Sequence, residues 1–174
     1  MKFWKIETNT SLKTKIIKIL RYVSLSILIF ILFLSIAYSF RTDPIMMISG
    51  KKLSGIELPY PESWEFTNDY RTIKVETNLN DPHSVTTLCF IREGKLIIPS
   101  QDGSTKVWPK NVLKNNHARI KVGEKVYPVR LALLEKDAKI TEFGPFLTVK
   151  FPDRVLPEYR EVPKGIWLFE VSER

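Results

Sequence analysis

His83 to Arg130 reads HSVTTLCFIREGKLIIPSQDGSTKVWPKNVLKNNHARIKVGEKVYPVR. Its apolar residues come in strand-length runs between turn residues, a rhythm that belongs to antiparallel β structure. Ser84 to Arg92 pairs in this reading with Lys95 to Ile98 across Glu93-Gly94, a tight connection with Gly where a positive φ is wanted. Pro99 to Ser104, PSQDGS, is a turn-rich loop. After it, Lys106 to Asn115 predicts a short helix, with Val107, Val112 and Leu113 apolar and Pro109 suited to the first turn. Ala118 to Val122 and Lys125 to Glu135 flank Gly123-Glu124, a Gly-X link that predicts a second hairpin. Along its first arm Ala118, Ile120 and Val122 face one way and Arg119 and Lys121 the other. Pro128 in the second arm predicts an edge or a bulge there.

Working outward, Glu142 to Phe151 and Gly165 to Val171 read as further strands, joined by an irregular crossing through Pro152, Pro157 and Pro163. Upstream, Thr72 to Thr77 alternates apolar and polar residues, and Asn78 to Pro82 breaks the alternation. Arg41 to Tyr70 holds Pro44, Pro59, Pro61, Gly50 and Gly55, and reads as a stalk and lead-in segment. Its pieces Gly55 to Pro59 and Trp64 to Phe66 are short enough to be edge strands or loops lying on the domain. About six strands, one short helix and no βαβ rhythm describe a mainly β, antiparallel barrel.

The N-terminal part differs in kind. Tyr22 to Phe40, YVSLSILIFILFLSIAYSF, holds nineteen residues without a charge, a Gly or a Pro. As a helix it would reach roughly 28 Å, close to the roughly 30 Å of a bilayer's hydrocarbon core. Twelve of the nineteen are Val, Leu, Ile or Phe, each favouring insertion by about 0.3 to 0.6 kcal/mol. Ser24, Ser26, Ser35 and Ser39 scatter around the wheel, so no polar stripe marks this as the core helix of a soluble domain. Ala37-Tyr38-Ser39 would suit a cleaved signal peptide, but the apolar run exceeds the usual signal core. The expectation is a transmembrane helix at 22–40 that anchors the chain in the bilayer, behind a basic tail at 1–21. A stalk and lead-in follow at 41–70, and one domain occupies 71–174.

The net charge of +8 belongs mostly to the tail, where six basic residues stand against Glu7 alone. The domain's surface charge is then ordinary, which argues against a nucleic-acid partner. The same asymmetry, with only Arg41, Lys51 and Lys52 soon after the span, predicts a single-pass protein with its N-terminus cytoplasmic and its domain beyond the membrane. Phe3 and Trp4 are candidate interfacial anchors in a tail whose preferred reading is a solvated one.

Motif by motif, the chain excludes more than it offers. Its seven glycines are isolated, so no dinucleotide fingerprint or P-loop exists. Cys89 is the one cysteine, and neither His83 nor His117 has a partner at metal-binding spacing, which predicts no disulfide and no metal. Asp81, His83 and Ser84 lie close together, but a catalytic triad is defined by geometry, and a polar loop entering a strand accounts for them. No catalytic acid or base is named.

Trp108, Asn111, Leu113 and Asn116, followed by Ile120, Val122, Gly123, Val129 and Ala132, make a helix-then-hairpin pattern. It resembles the W-x-x-N-L-x-x-N-P helix and V-x-V-G-x-x-x-x-V-x-A hairpin of the split β-barrel flavin-binding superfamily. That superfamily includes pyridoxamine-phosphate-oxidase-like proteins and deazaflavin-dependent nitroreductases. The resemblance runs from Thr72 to Val171 and implies a split β-barrel with FMN or a deazaflavin as cofactor, often held across a homodimer interface. A phosphate needs several donors and positive charge converging on one spot. Ser104, Thr105 and Lys106 occupy the position of the family's loop donors, and Trp108 beside them could stack on a flavin ring or simply pack. His83 and Ser84 stand where many relatives present an Arg, with Thr86 on the face of Ser84; Lys110 is a further cation nearby. The resemblance thus implies a membrane-anchored flavin- or deazaflavin-binding oxidoreductase-like protein, by family analogy a nitro or quinone reductase. The alternatives are a tethered split-barrel binding or structural module without redox activity, and a carrier of a small apolar ligand. A homodimer with its two-fold axis along the membrane normal would let both anchors enter one bilayer.

Overall fold

The computed structural model describes residues 10–39, 42–150 and 165–174. The tail residues Phe3 and Trp4 and the crossing through Pro152, Pro157 and Pro163 lie outside them. The chain forms two compact units, Met1–Arg41 and Thr42–Arg174.

In the first unit α1, Thr10–Ser39, is one continuous helix of 30 residues. Its segment Lys13–Ile36 holds an 18-residue window of mean hydropathy 2.4, and it is the one helix among the described residues long and apolar enough to cross a membrane. It begins roughly three turns before Tyr22, so the apolar run and part of the basic flank share one helix. Two of its serines bond within the helix: Ser35 Oγ donates to Ile31 O at 2.8 Å and Ser39 Oγ to Ser35 O at 2.9 Å. Each hydroxyl is satisfied four residues back and exposes no unpaired polar group.

The second unit is built on one eight-stranded sheet. Its strands are β1 (Ile56–Glu57), β2 (Ile73–Thr77), β3 (His83–Thr87), β4 (Phe90–Arg92), β5 (Lys95–Ser100), β6 (His117–Val122), β7 (Lys125–Glu135) and β8 (Trp167–Glu173). The order is β3-β2-β6-β7-β8-β5-β4, every pairing along it antiparallel, with β1 added parallel to β7. β3 and β4 stand at opposite ends of that order, yet only Leu88 and Cys89 separate them in the chain. The three steps from Thr87 to Phe90 reach at most about 11 Å, so the sheet must curl until its ends meet. Thr87 Oγ1, on β3, donates to Pro99 O, on β5, at 3.3 Å across that meeting. The fold is an antiparallel split β-barrel.

Both expected hairpins form. Glu93 and Gly94 both have positive φ, 54° and 74°, as a two-residue turn of mirror-image type I requires. Gly123, at φ 58°, turns β6 into β7. Pro128 sits on β7 between the end of its pairing with β1 and the start of its pairing with β8, so its missing N–H disturbs neither ladder. The shift in register comes later, between Leu133 and Glu135.

The barrel encloses Ile73, Val75, Leu96, Ile98, Ile120, Val129, Leu131 and Phe169. α2, Val107–Lys114, seats Trp108 against Phe169 with ring centroids 4.8 Å apart. Between them β5 and β8 carry Ile97 and Leu168 on the opposite face, in a second cluster with Phe90, Ala138 and Phe143. That cluster lies under α3, Ile140–Lys150, so both faces of these strands are buried and their sequences run almost continuously apolar.

α3 corrects the expectation of a strand over Glu142 to Phe151. The alternation of Leu147-Thr148-Val149-Lys150 suggests period two, but Phe143 and Phe146 are spaced for one helical face. Both rings stack on Phe90, at 5.6 and 5.8 Å. Pro145 stands inside the helix and removes one backbone donor. Burial of the two rings outweighs that loss. The single strand expected over Ser84 to Arg92 is likewise two, broken at Leu88-Cys89, and β4 alone pairs with β5.

Residues 42–70 pack on the sheet. Leu53 and Trp64 are each 2% exposed, and Trp64 meets Tyr60, Phe66 and Tyr127 at centroid distances of 5.6, 5.8 and 5.2 Å. Prolines break a repeating pattern, but they do not prevent burial.

Candidate functional site

On β2 the residues that alternate with the core, Lys74 and Glu76, face away from the barrel interior, beside Arg119 and Lys121 of β6. The chain from Asp43 to Leu53 covers them. Glu76 is 1% exposed; it accepts from Leu53 N at 2.7 Å and from Arg119 Nη1 at 3.0 Å. Asp43 accepts from Lys74 and Lys121 at 2.8 and 2.7 Å through Oδ2, and from Ser54 N at 2.8 Å through Oδ1. Burial pushes the Asp43 carboxyl up, but the hydrogen bonds from Lys121, Lys74 and Ser54 outweigh it and hold the group well below the usual carboxylate range. This layer fixes the chain that leads into the candidate site.

The site is a cleft of about 240 Å³ at the seam where the sheet ends meet. It is walled by residues 46–49, by Val85, Thr86 and Thr87 of β3, by Pro99 and Ser100 at the end of β5, and by Gln101, Lys106 and Trp108. Gly50 N donates to Ser84 O and Ser84 N to Gly50 O, at 2.7 and 3.1 Å, which pins the 46–49 wall to β3. Thr86 Oγ1 is buried and has no hydrogen-bond partner among the described residues; neither does Ser84 Oγ, two residues back on the same face. Buried hydroxyls are nearly always paired, so Thr86 Oγ1, unpaired on a residue that walls the cleft, is the candidate donor to a ligand there. Lys106 adds a cation to the wall residues.

The residues expected to act together are therefore divided. Thr86, Lys106 and Trp108 share the cleft. Ser84 is fully buried behind it. His83 begins β3, where its carbonyl accepts from Thr77 Oγ1 at 3.3 Å. Burial lowers the His83 imidazole's pKa, against the opposing charge of Asp81. Ser104 and Thr105 are exposed, neither is among the wall residues, and Thr105 Oγ1 donates to Asp102 O at 3.0 Å to close its own turn. Trp108 is 4% exposed and packed on Phe169, so most of its ring already has a partner. Asn111 binds α2 to the barrel, its Nδ2 donating to Thr77 Oγ1 at 3.2 Å. Ser49, Thr87, Ser100, Gln101 and the apolar residues 46–48 complete the cleft, and none has a sequence signature of its own.

These walls fit one end of a flavin nucleotide. Lys106, Thr86 Oγ1 and Gln101 are groups a phosphate or a ribityl chain can use, whereas 240 Å³ falls below the roughly 300 Å³ at which pockets for whole ligands begin. The ring system needs room beyond a single copy of the cleft.

No protein-family model matches the chain, and no curated protein matches it. Among solved structures it is similar to a Listeria innocua protein provisionally assigned as a pyridoxamine 5'-phosphate oxidase. Identity is 14% over 61% of this chain and 86% of that one, with a TM-score of 0.44. It is similar to a NimC/NimA family protein of Clostridium acetobutylicum at 18% identity, over 63% of this chain and 81% of that one, with a TM-score of 0.44. A third, described as a domain-swapped dimer, shares 17% identity over 58% of this chain and 81% of its own length, with a TM-score of 0.37. The barrel assignment stands on the strand order and the two-residue step from β3 to β4.

Proposed function

We propose that this chain is a membrane-anchored flavin-nucleotide-binding protein of oxidoreductase-like type, with FMN or a deazaflavin held at the β3–β5 seam. The observation that carries the reading is that Thr86, whose buried hydroxyl is unpaired, and Lys106 wall the same cleft. Lys106 binds the phosphate by charge, and Thr86 Oγ1 donates a hydrogen bond to a ligand oxygen. Trp108 and Val85 keep water from that end of the ligand. The ring lies beyond the cleft against a second copy of the chain, which makes the working unit a homodimer. When bound, the flavin supplies reversible acceptance of electrons and hydride. The helix α1 spans the bilayer with its N-terminus cytoplasmic, as the basic flank favours.

A second reading, a tethered barrel module without redox activity, is favoured by two observations: Lys106 is the one cation on the cleft wall among the described residues, and the cleft is small. Titration of the detergent-solubilised chain with FMN, followed by flavin fluorescence, separates the two. Thr86→Val keeps the shape and removes the open donor, so it should weaken binding about tenfold, a loss of about 1.4 kcal/mol, without lowering stability. Lys106→Ala should weaken binding and flatten its dependence on salt. Unchanged affinity in both variants would refute the proposed site, and no binding by the wild type would favour the module.

A further inference from the structure

Ile45, Met46, Met47 and Ile48 form a tight turn closed by Ile45 N to Ile48 O at 3.0 Å and Ile48 N to Ile45 O at 2.9 Å. All four side chains are apolar and exposed, with Met46 at 81% and Met47 at 99%. The turn does not hang loose. Asp43 before it is held by Lys74 and Lys121, and Gly50 after it is bridged to Ser84. The barrel thus presents four adjoining apolar side chains on a fixed projection, in a medium where such surface is unfavourable.

We infer that this tip inserts into the interfacial layer of a lipid bilayer. Only five residues separate Ser39, the end of α1, from Ile45, a stretch of at most about 20 Å, so a membrane that holds the helix lies within reach of the tip. Lys52, exposed four residues after the turn, suits anionic headgroups around an apolar point. Four side chains on a convex turn fall short of the roughly 800 Å² per partner of a standard protein interface, which favours lipid over a second copy. Met46, Met47 and Ile48 also wall the cleft, so insertion of the tip would set one wall of the cleft at the membrane surface.

This inference rests on the reading of α1 as an anchor, and the test keeps the two apart. The full-length chain carrying Met47→Cys is labelled with an environment-sensitive fluorophore and reconstituted into vesicles of phosphatidylcholine and phosphatidylserine. Cys89, fully buried, is retained; the unsubstituted chain checks that it takes no label under native conditions. Glu93→Cys, at the exposed β4–β5 turn, is the control. Expected is a blue-shifted probe at position 47 that shallow nitroxide lipids quench at least about twofold more strongly than the probe at position 93. A chain that floats with the vesicles while both probes report water would overturn the inference and leave the anchor standing. A probe at 47 shielded from water but unquenched by lipid nitroxides would also overturn it, and would assign the tip to a protein partner. A chain that does not float with the vesicles would overturn the anchor and the inference together.

Discussion

Asp43 shows what one residue ahead of the first long strand can hold in place. Its carboxylate neutralises Lys121, whose side chain is 3% exposed and whose other acidic partner, Glu124, is 84% exposed. In Asp43→Ala the buried ammonium keeps only that solvent-screened partner, a loss of about 2 to 4 kcal/mol, measurable as a lower urea midpoint at neutral pH. The pH dependence follows from the sign of the shift. The folded carboxyl titrates below its unfolded value, so its contribution is complete above the usual carboxylate range and fades as pH falls through about 4 towards the folded value. The gap between wild type and variant should therefore narrow on acidification below about pH 4. A gap that stayed constant down to pH 2 would remove the ion pair from the account. From sequence, Lys74 and Glu76 read as the wet side of an alternating strand. Nothing local announces that Asp43 and Leu53 return to cover them.

Among the elements, legibility tracks whether one period decides the structure. The β4–β5 and β6–β7 hairpins, β2, β8 and α2 are legible because each has its own turn residues and a single period. α3 is not, because its buried Phe143 and half-buried Phe146 are balanced by an alternating tail and a proline. The aromatic packing tests that assignment: Phe143 is 3% exposed and stacked on Phe90, so Phe143→Ala should cost about 3 kcal/mol or more. Thr141→Ala, on the exposed side of the same turn, should change stability by less than about 0.5 kcal/mol. Equal effects in thermal unfolding would contradict the placement of the helix. The site is legible to a similar degree. Thr86, Lys106 and Trp108 stand in strand and helix contexts that the sequence defines, whereas Ser49 and Ser100 reach the cleft only because the sheet closes at Leu88-Cys89. That break is invisible in LCFIR, which reads as one unbroken strand.

For the whole molecule, closure of the sheet connects fold to function. The two-residue step from β3 to β4 brings the two ends of the strand order together. The seam so formed gathers an unpaired hydroxyl, a cation and an apolar lip from stretches far apart in the chain. The occupant proposed for this seam is a flavin nucleotide. The most direct measurement is an absorbance spectrum from about 300 to 550 nm of the full-length chain in detergent, as purified and during titration with FMN or a deazaflavin, which reports the cofactor's environment. The account predicts a flavin band that travels with the protein, or a saturable shift with quenched fluorescence on titration. A colourless protein that leaves both spectra unperturbed at high micromolar cofactor would contradict it.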